Sequence, residues 1–297
     1  MTGPQSDPSA LKGAAWMLVC LLFLSLMAIM VRQVSPFLTT MEVMAWRGLL
    51  SFVMVLSAMG ILGRVWPQIR TTRIRLHFLR NTIHFAGQYA WIYAISVIPL
   101  ALAFALEFTM PVWIALLAPL LANERLTQGR VVAAIFGFFG TLIALRPDGS
   151  GLSSGALVML GAALAFALSV IAVKRLTATD SAMSIVFYMA LIQTPMAFVL
   201  LGGVPTVPDL KTFRFLAILS ASGLVAQYAM ARAYAHADAM VVMPIDYLRL
   251  PLIALVGTAF FSEALDPYVL LGGAVIIAGN WWNLKAERAD RGARGSG

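Results

Sequence analysis

The sequence predicts an all-α integral membrane protein with ten transmembrane helices arranged as two inverted five-helix repeats. Three observations carry this prediction. The 297-residue chain is 61% hydrophobic and 11% charged, with a mean hydropathy of +0.87, far more apolar and less charged than a soluble globular average. An ungapped offset of 139 positions lays Gln88, Tyr89 and Ala90 on Gln227, Tyr228 and Ala229, lays Ile114, Ala115 and Leu116 on Ile253, Ala254 and Leu255, and brings Glu124 to Glu263 and Gly140 to Gly279. Self-similarity at a fixed period outranks any single motif. The turn-rich run from Arg146 to Gly151 then stands between two sets of five apolar segments.

Residues 1–12 are polar and proline-bearing and read as a disordered lead. The first span, 13–31, is too long for the apolar core of a cleaved signal peptide and reads as retained. Spans at 38–62, 76–98, 100–122 and 131–145 complete a first repeat over 13–146. A linker at 147–153 leads to a second repeat over 154–285, with spans at 154–173, 182–201, 213–234, 240–261 and 267–284. Residues 286–297 read as a basic disordered tail. Each span can cross ~30 Å of hydrocarbon at about 1.5 Å per residue, the fifth being the shortest.

Loop charge gives the orientation. With a cytoplasmic N-terminus, the inside segments carry Arg64, Arg70, Arg73, Arg75, Arg125, Arg130, Lys174, Arg175 and the basic tail, while the outside loops carry only Arg32, Arg146, Lys211 and Arg214. That excess places both termini on the cytoplasmic side of the cytoplasmic, or inner, membrane. An odd number of spans per repeat then makes the second repeat insert upside down.

The same charge argues against nucleic-acid binding, because it sits in short loops where it reads as a topology signal. Cys20 is the single cysteine, and no His and Cys spacing fits a metal, so no disulfide, metal or cofactor is expected. There is no P-loop and no catalytic constellation.

The endings Asn123-Glu124-Arg125-Leu126-Thr127 and Ser262-Glu263-Ala264-Leu265-Asp266, each before a glycine-bearing last helix, together with Pro111 and Pro251 in the two fourth helices, resemble the EamA branch of the drug/metabolite transporter (DMT) superfamily. The resemblance covers roughly 13–284. It implies a transporter, and a family that moves amino acids, riboflavin, S-adenosylmethionine, nucleotide-like compounds and metallophores. The glutamates of these endings read as helix-start groups, with Thr127 and Asp266 as N-caps and Pro267 in a first turn.

A charge near mid-bilayer costs at least ~2.5–3.5 kcal/mol, so ionisable residues inside spans face an interior cavity or a partner. The substrate-binding candidates are Arg47, His84, Gln88, Glu107, Gln227, Tyr228, Arg232, Asp246, Tyr247 and Arg249. Arg80, His84 and Gln88 are four apart and form one stripe on the third helix, with Arg80 either in that stripe or snorkelling to the inner face. Arg47 either binds substrate or locks helices, and Asp246 and Arg249, three apart, can satisfy each other. Glu107 has no basic neighbour at helical spacing, so its partner comes from another helix, water, a proton or substrate; this makes it the candidate for proton coupling and Asp246 a gate or substrate-orienting residue. Gln193 and Asn280 read as structural polar singles.

These readings combine into a secondary active transporter working by alternating access, proton-coupled or exchanging. Four arginines against two carboxylates favour a small metabolite with a carboxylate, such as an amino acid. The alternative is a larger cofactor-like metabolite (riboflavin, S-adenosylmethionine or a metallophore). Readings of another class are a polytopic membrane enzyme of lipid-like substrates and a non-transporting receptor. The expected partners are the metabolite, the lipid bilayer and, as a coupling ion, protons.

Overall fold

A computed structural model describes residues 8–62, 69–122, 128–145, 153–236 and 245–295. Within them the chain is helical, and no strand is found among the described residues. In the first half the helices are α1 (Pro8–Val34), α2 (Thr40–Leu62), α3 (Ile74–Val97), α4 (Leu100–Glu107), α5 (Met110–Ala122) and α6 (Gln128–Leu145). In the second they are α7 (Ser154–Leu176), α8 (Ala182–Leu201), α9 (Leu210–His236), α10 (Arg249–Phe261) and α11 (Pro267–Gly295). Among the described residues five stretches are long and apolar enough to cross a membrane: Leu11–Val34, Thr40–Ile61, Ser154–Val173, Met183–Leu201 and Leu210–Met230. Leu100–Ile114 and Val131–Leu145 are shorter apolar helices.

Local chemistry sets several of the starts. Thr39 and Glu42 form a reciprocal capping box at α2: the Thr39 N–H donates to Glu42 Oε2 at 2.8 Å and the Glu42 N–H to Thr39 Oγ1 at 3.3 Å. Ser153 and Ser181 are the N-caps of α7 and α8. Asp209 Oδ1 accepts from the Thr212 N–H at 2.9 Å at the start of α9. There burial plays almost no part, and the Thr212 hydroxyl and N–H hold the Asp209 carboxyl below its usual range. Asp266 accepts from the Tyr268 N–H at 2.9 Å where α11 begins at Pro267. Thr127 and Glu124 lie outside the described residues.

The fourth span, expected as one helix over 100–122, is two. α4 ends at Glu107 and α5 starts at Met110, with Phe108 and Thr109 in a turn between them. Pro111 is the cause, since it has no N–H to give the Glu107 carbonyl and its ring crowds that oxygen. In the second half the helical turn at 245–247 breaks at Leu248 before α10, and Pro251 stands four residues after Tyr247. Both breaks therefore place a proline four residues beyond the last helical residue. The carbonyl freed at Phe108 is bonded by Asn280 Nδ2 of α11 at 3.2 Å, as backbone at membrane depth requires.

Between the halves α1 packs on α9, α3 on α7, α2 on α8, α4 on α10 and α6 on α11. Exchanging the two halves leaves this set of pairs unchanged, the pattern a pseudo-twofold axis produces. The main core gathers residues of α1 to α4 and α7 to α11, and Ala103, Phe104, Ala105 and Leu106 of α4 are wholly buried in it. An apolar helix buried all round belongs at the centre.

The α6–α11 contact is a backbone crossing. A Cβ on Gly140 would lie 2.6 Å from the Gly272 carbonyl oxygen, and one on Gly272 would collide with the Gly140 carbonyl in turn. Small residues let membrane helices approach this closely. Gly140→Val should lower stability by about 1–3 kcal/mol or more through overpacking. Gly161→Ala, which faces open space, should be neutral in the same thermal unfolding assay in detergent.

Candidate functional site

α3 is the axis of the polar interior. His77, Arg80, Asn81, His84 and Trp91 are buried along it, and Gln88 is half-buried in the same series. Spacings of three and four residues keep them on one face over roughly 20 Å at about 1.5 Å per residue.

At one end His77 Nε2 lies 2.6 Å from Asp180 Oδ2, both side chains being almost completely buried. Burial pushes the Asp180 carboxyl up, but hydrogen bonds with Thr71, His77 and Thr179 outweigh it and hold the group below its usual range. The Tyr188 ring lies 4.5 Å from the His77 ring.

A basic cluster follows. Arg80 is 6% exposed; its Nη1 donates to Asn81 Oδ1 at 2.8 Å, and its buried Nε has no acceptor. It does not snorkel. Gln193 of α8 donates through Nε2 to the Asn81 carbonyl at 3.2 Å and contacts His84 Nδ1 at 3.1 Å. Arg47 of α2 donates through Nη2 to Gln88 Oε1, and its buried Nε also lacks an acceptor. The charges that bear on His84 are those of Arg80 and Arg47. Neither arginine forms an ion pair among the described residues.

One turn beyond Gln88 the charges balance differently. Trp91 Nε1 donates to Glu107 Oε2 at 2.7 Å. Arg249 Nη1 meets Glu107 Oε1 at 3.2 Å and its Nη2 meets Asp246 Oδ2 at 3.2 Å. The guanidinium also lies 4.9 Å from the Phe104 ring centroid and 5.2 Å from that of Phe108, within cation–π range. Phe108 in turn meets Tyr247 edge-on at 5.5 Å. Arg249, just past the break at Leu248, thus ties Glu107, at the break in the first half, to the second half of the chain.

Of the sources open to Glu107 for a partner, another helix supplies it, with Arg249 bringing the cation from the opposite half. The contrast between the two carboxylates also reverses. Both Glu107 oxygens are engaged, whereas Asp246 Oδ1 is buried without a donor.

Gln227, Tyr228 and Arg232 are not brought to this interior. α9 packs its Ala226, Ala229 and Ala233 face on Met17 and Cys20 of α1, which turns the other three outward. Gln227 and Arg232 are exposed, and Tyr228 is 59% exposed. Trp16 takes the Tyr228 ring edge-on at 5.7 Å and the Arg232 guanidinium at 5.8 Å from its centroid. The excess of cationic groups expected from four arginines therefore narrows to Arg47 and Arg80. Sequence reasoning missed Asn81 and set Gln193 aside. A polar residue three or four places from the stripe was the available signal for the first, and nothing in α8 alone signals the second.

Latches close the ends of the bundle. Arg32 of α1 pairs with Glu263 at 2.8 Å and donates to the Ile98 carbonyl. Glu263 Oε2 accepts from the Leu100 N–H at 2.8 Å, so this glutamate caps α4 from the other half rather than α11, the helix it precedes. Gly257 makes room for it, since a Cβ there would lie 2.5 Å from Glu263 Oε2. On α7, Arg175 donates to the Leu121 carbonyl at the end of α5, and Arg73 donates to the Arg175 carbonyl at 3.0 Å. Glu263→Ala should cost about 1–3 kcal/mol of stability by stranding Arg32 and the Leu100 N–H. Glu263→Gln, which keeps an acceptor, should cost less in chemical unfolding.

The model of the EamA-like transporter family matches this chain twice, over residues 11–146 and 153–284. The chain belongs to the EamA-like transporter family. Among EamA relatives, the riboflavin transporter of Rhizobium johnstonii is 32% identical over 288 residues, covering 95% of this chain and 94% of its own. The S-adenosylmethionine uptake transporter of Rickettsia bellii is 27% identical, with 93% and 94% covered. The pseudopaline exporter CntI of Pseudomonas aeruginosa is 26% identical, with 85% and 89% covered. A solved crystal structure at 17% identity superposes with a TM-score of 0.66 over 93% of this chain and 98% of its own, which supports the fold alone. As an EamA protein the chain is a multi-pass membrane transporter.

Proposed function

We propose that this EamA protein is a secondary transporter moving a cofactor-like metabolite of the riboflavin kind, neutral or anionic and rich in hydrogen-bond acceptors. The observation that carries this reading is the pair of interior guanidiniums, Arg47 and Arg80, without an ion-pair partner among the described residues. A sulfonium cation such as S-adenosylmethionine would meet them as like charges, an interaction on the order of 4 kcal/mol at 4 Å in a partly screened protein environment. The relatives named for riboflavin and S-adenosylmethionine favour the cofactor-like alternative over the amino-acid reading drawn from charge alone. An amino acid remains the second reading, because a carboxylate also suits Arg47.

The mechanism is alternating access through ten crossings, arranged as two inverted five-helix units in the cytoplasmic membrane with both termini inside. The paired breaks at Phe108–Thr109 and Leu248 support it, as discontinuous helices meeting at a repeat interface mark binding sites. Protons are the proposed coupling ion, since two carboxylates sharing Arg249 leave one negative charge that a proton can neutralise.

Uptake of labelled riboflavin into proteoliposomes, with S-adenosylmethionine and an amino-acid mixture in parallel, tests the substrate reading; transport of S-adenosylmethionine alone would overturn it. Cysteine placed at Gly149 should be labelled from outside, and at Thr71 or Gly292 from inside. Labelling of all three from one side breaks the inverted arrangement.

A further inference from the structure

Gln193 holds a more informative position than its place as a lone amide on α8 suggests. It is 6% exposed, and it reaches Asn81 and His84 on α3, which are 0% and 8% exposed. Its Nε2 lies 3.2 Å from the backbone carbonyl of Asn81. A backbone carbonyl only accepts, so the end of the side chain at that position must be the NH2 group. The same nitrogen is 3.1 Å from His84 Nδ1. An amide nitrogen cannot accept, so Nδ1 must offer its lone pair and the ring proton must sit on Nε2.

The neighbouring acceptors are already taken. Asn81 Oδ1 receives Arg80 Nη1 and lies 3.3 Å from Gln193 Nε2, and Gln88 Oε1 receives Arg47. What remains uncommitted is a set of donors: the guanidiniums of Arg47 and Arg80, the Gln88 amide N–H and the His84 Nε2–H. Gln193 Oε1 is the one acceptor left over among these groups.

We propose that Gln193 is a positioning residue that locks His84 as a neutral Nε2–H donor, so that this part of the transport site presents donors to an acceptor-rich edge of the substrate. The substrate half of the proposal rests on the flavin-like reading above; the tautomer half does not. Donors fixed in place select carbonyl and ring-nitrogen acceptors and reject amine-bearing ligands, because a buried donor left facing another donor loses its partner. The role differs from packing in that it requires one protonated nitrogen and excludes the other.

The chain has only three histidines, so 15N-histidine labelling of tag-free protein in nanodiscs gives a readable spectrum, with His84→Gln identifying the signal. At neutral pH His84 should show an unprotonated Nδ1 and a protonated Nε2, and added riboflavin should shift the Nε2–H resonance. Gln193→Leu should mix the two tautomers and raise the KM for riboflavin roughly 5–10-fold with little change in Vmax, the size of one hydrogen bond. An Nδ1–H tautomer or an imidazolium in the wild type overturns the proposal, and needs no variant to fold. An unchanged KM beside a mixed tautomer overturns the positioning role. Wild type that binds no riboflavin yet shows the Nε2–H tautomer refutes the flavin reading and leaves the role of Gln193 supported.

Discussion

Arg249→Met is expected to be the most damaging single substitution in the interior. Arg249 is 5% exposed and is the cation shared by Glu107 and Asp246. Removing one member of a buried ion pair costs about 3–5 kcal/mol, because the partner keeps its desolvation penalty and loses its attraction. Here two carboxylates are stranded at once, and the stacking of the guanidinium on Phe104 and Phe108 goes with them. Chemical unfolding in detergent should show a loss at the upper end of that range, and riboflavin uptake should disappear. Glu107→Gln combined with Asp246→Asn in the Arg249→Met background should recover much of the stability, since no buried charge then lacks a partner, but not transport. If Arg249→Met alone unfolds at the wild-type denaturant concentration, the triad does not join the two halves.

Arg47→Gln is expected to show the opposite balance, losing transport and keeping the fold. The guanidinium touches Gln88 and has a buried Nε without an acceptor, so the empty protein bears a desolvation cost that substrate would offset. A hydrogen bond to a charged group is worth about 1.5–3 kcal/mol, a rise of roughly 10- to 150-fold in the KM for riboflavin. Stability should be unchanged or higher, the usual signature of a group retained for function. Arg47→Lys should not restore affinity, because an ammonium lacks the planar fork. A variant that transports normally but unfolds early would make Arg47 a helix lock instead.

Most of the helix plan was readable because bilayer length and backbone satisfaction leave so few ways for an apolar chain to cross. The stripe on α3 was readable for the same reason, since Arg80, His84 and Gln88 repeat at helical spacing. Pairings across the halves were not. The partner of Glu107 stayed open among another helix, water, a proton and substrate, because only neighbours three or four places away can be judged from a sequence, and its cation comes from α10. Arg80 looked free to snorkel when depth was counted along α3 alone, but the structure encloses it almost completely. The break after Glu107 was hidden by treating an apolar run as one element, although Pro111 announced which carbonyl would lose its donor. Gln227, Tyr228 and Arg232 were grouped with the interior by polarity, and only the alanine face of α9 shows which way they turn.

The crossing of Gly140 on Gly272 has a mechanical consequence. Helices that slide past one another do so on side chains that can change rotamer, whereas these two meet backbone to backbone, with no such layer between them. The α6–α11 pair therefore has no side-chain layer on which one helix could slide along the other. Through the bond from Asn280 to the Phe108 carbonyl, the same pair is tied to the α4–α5 break.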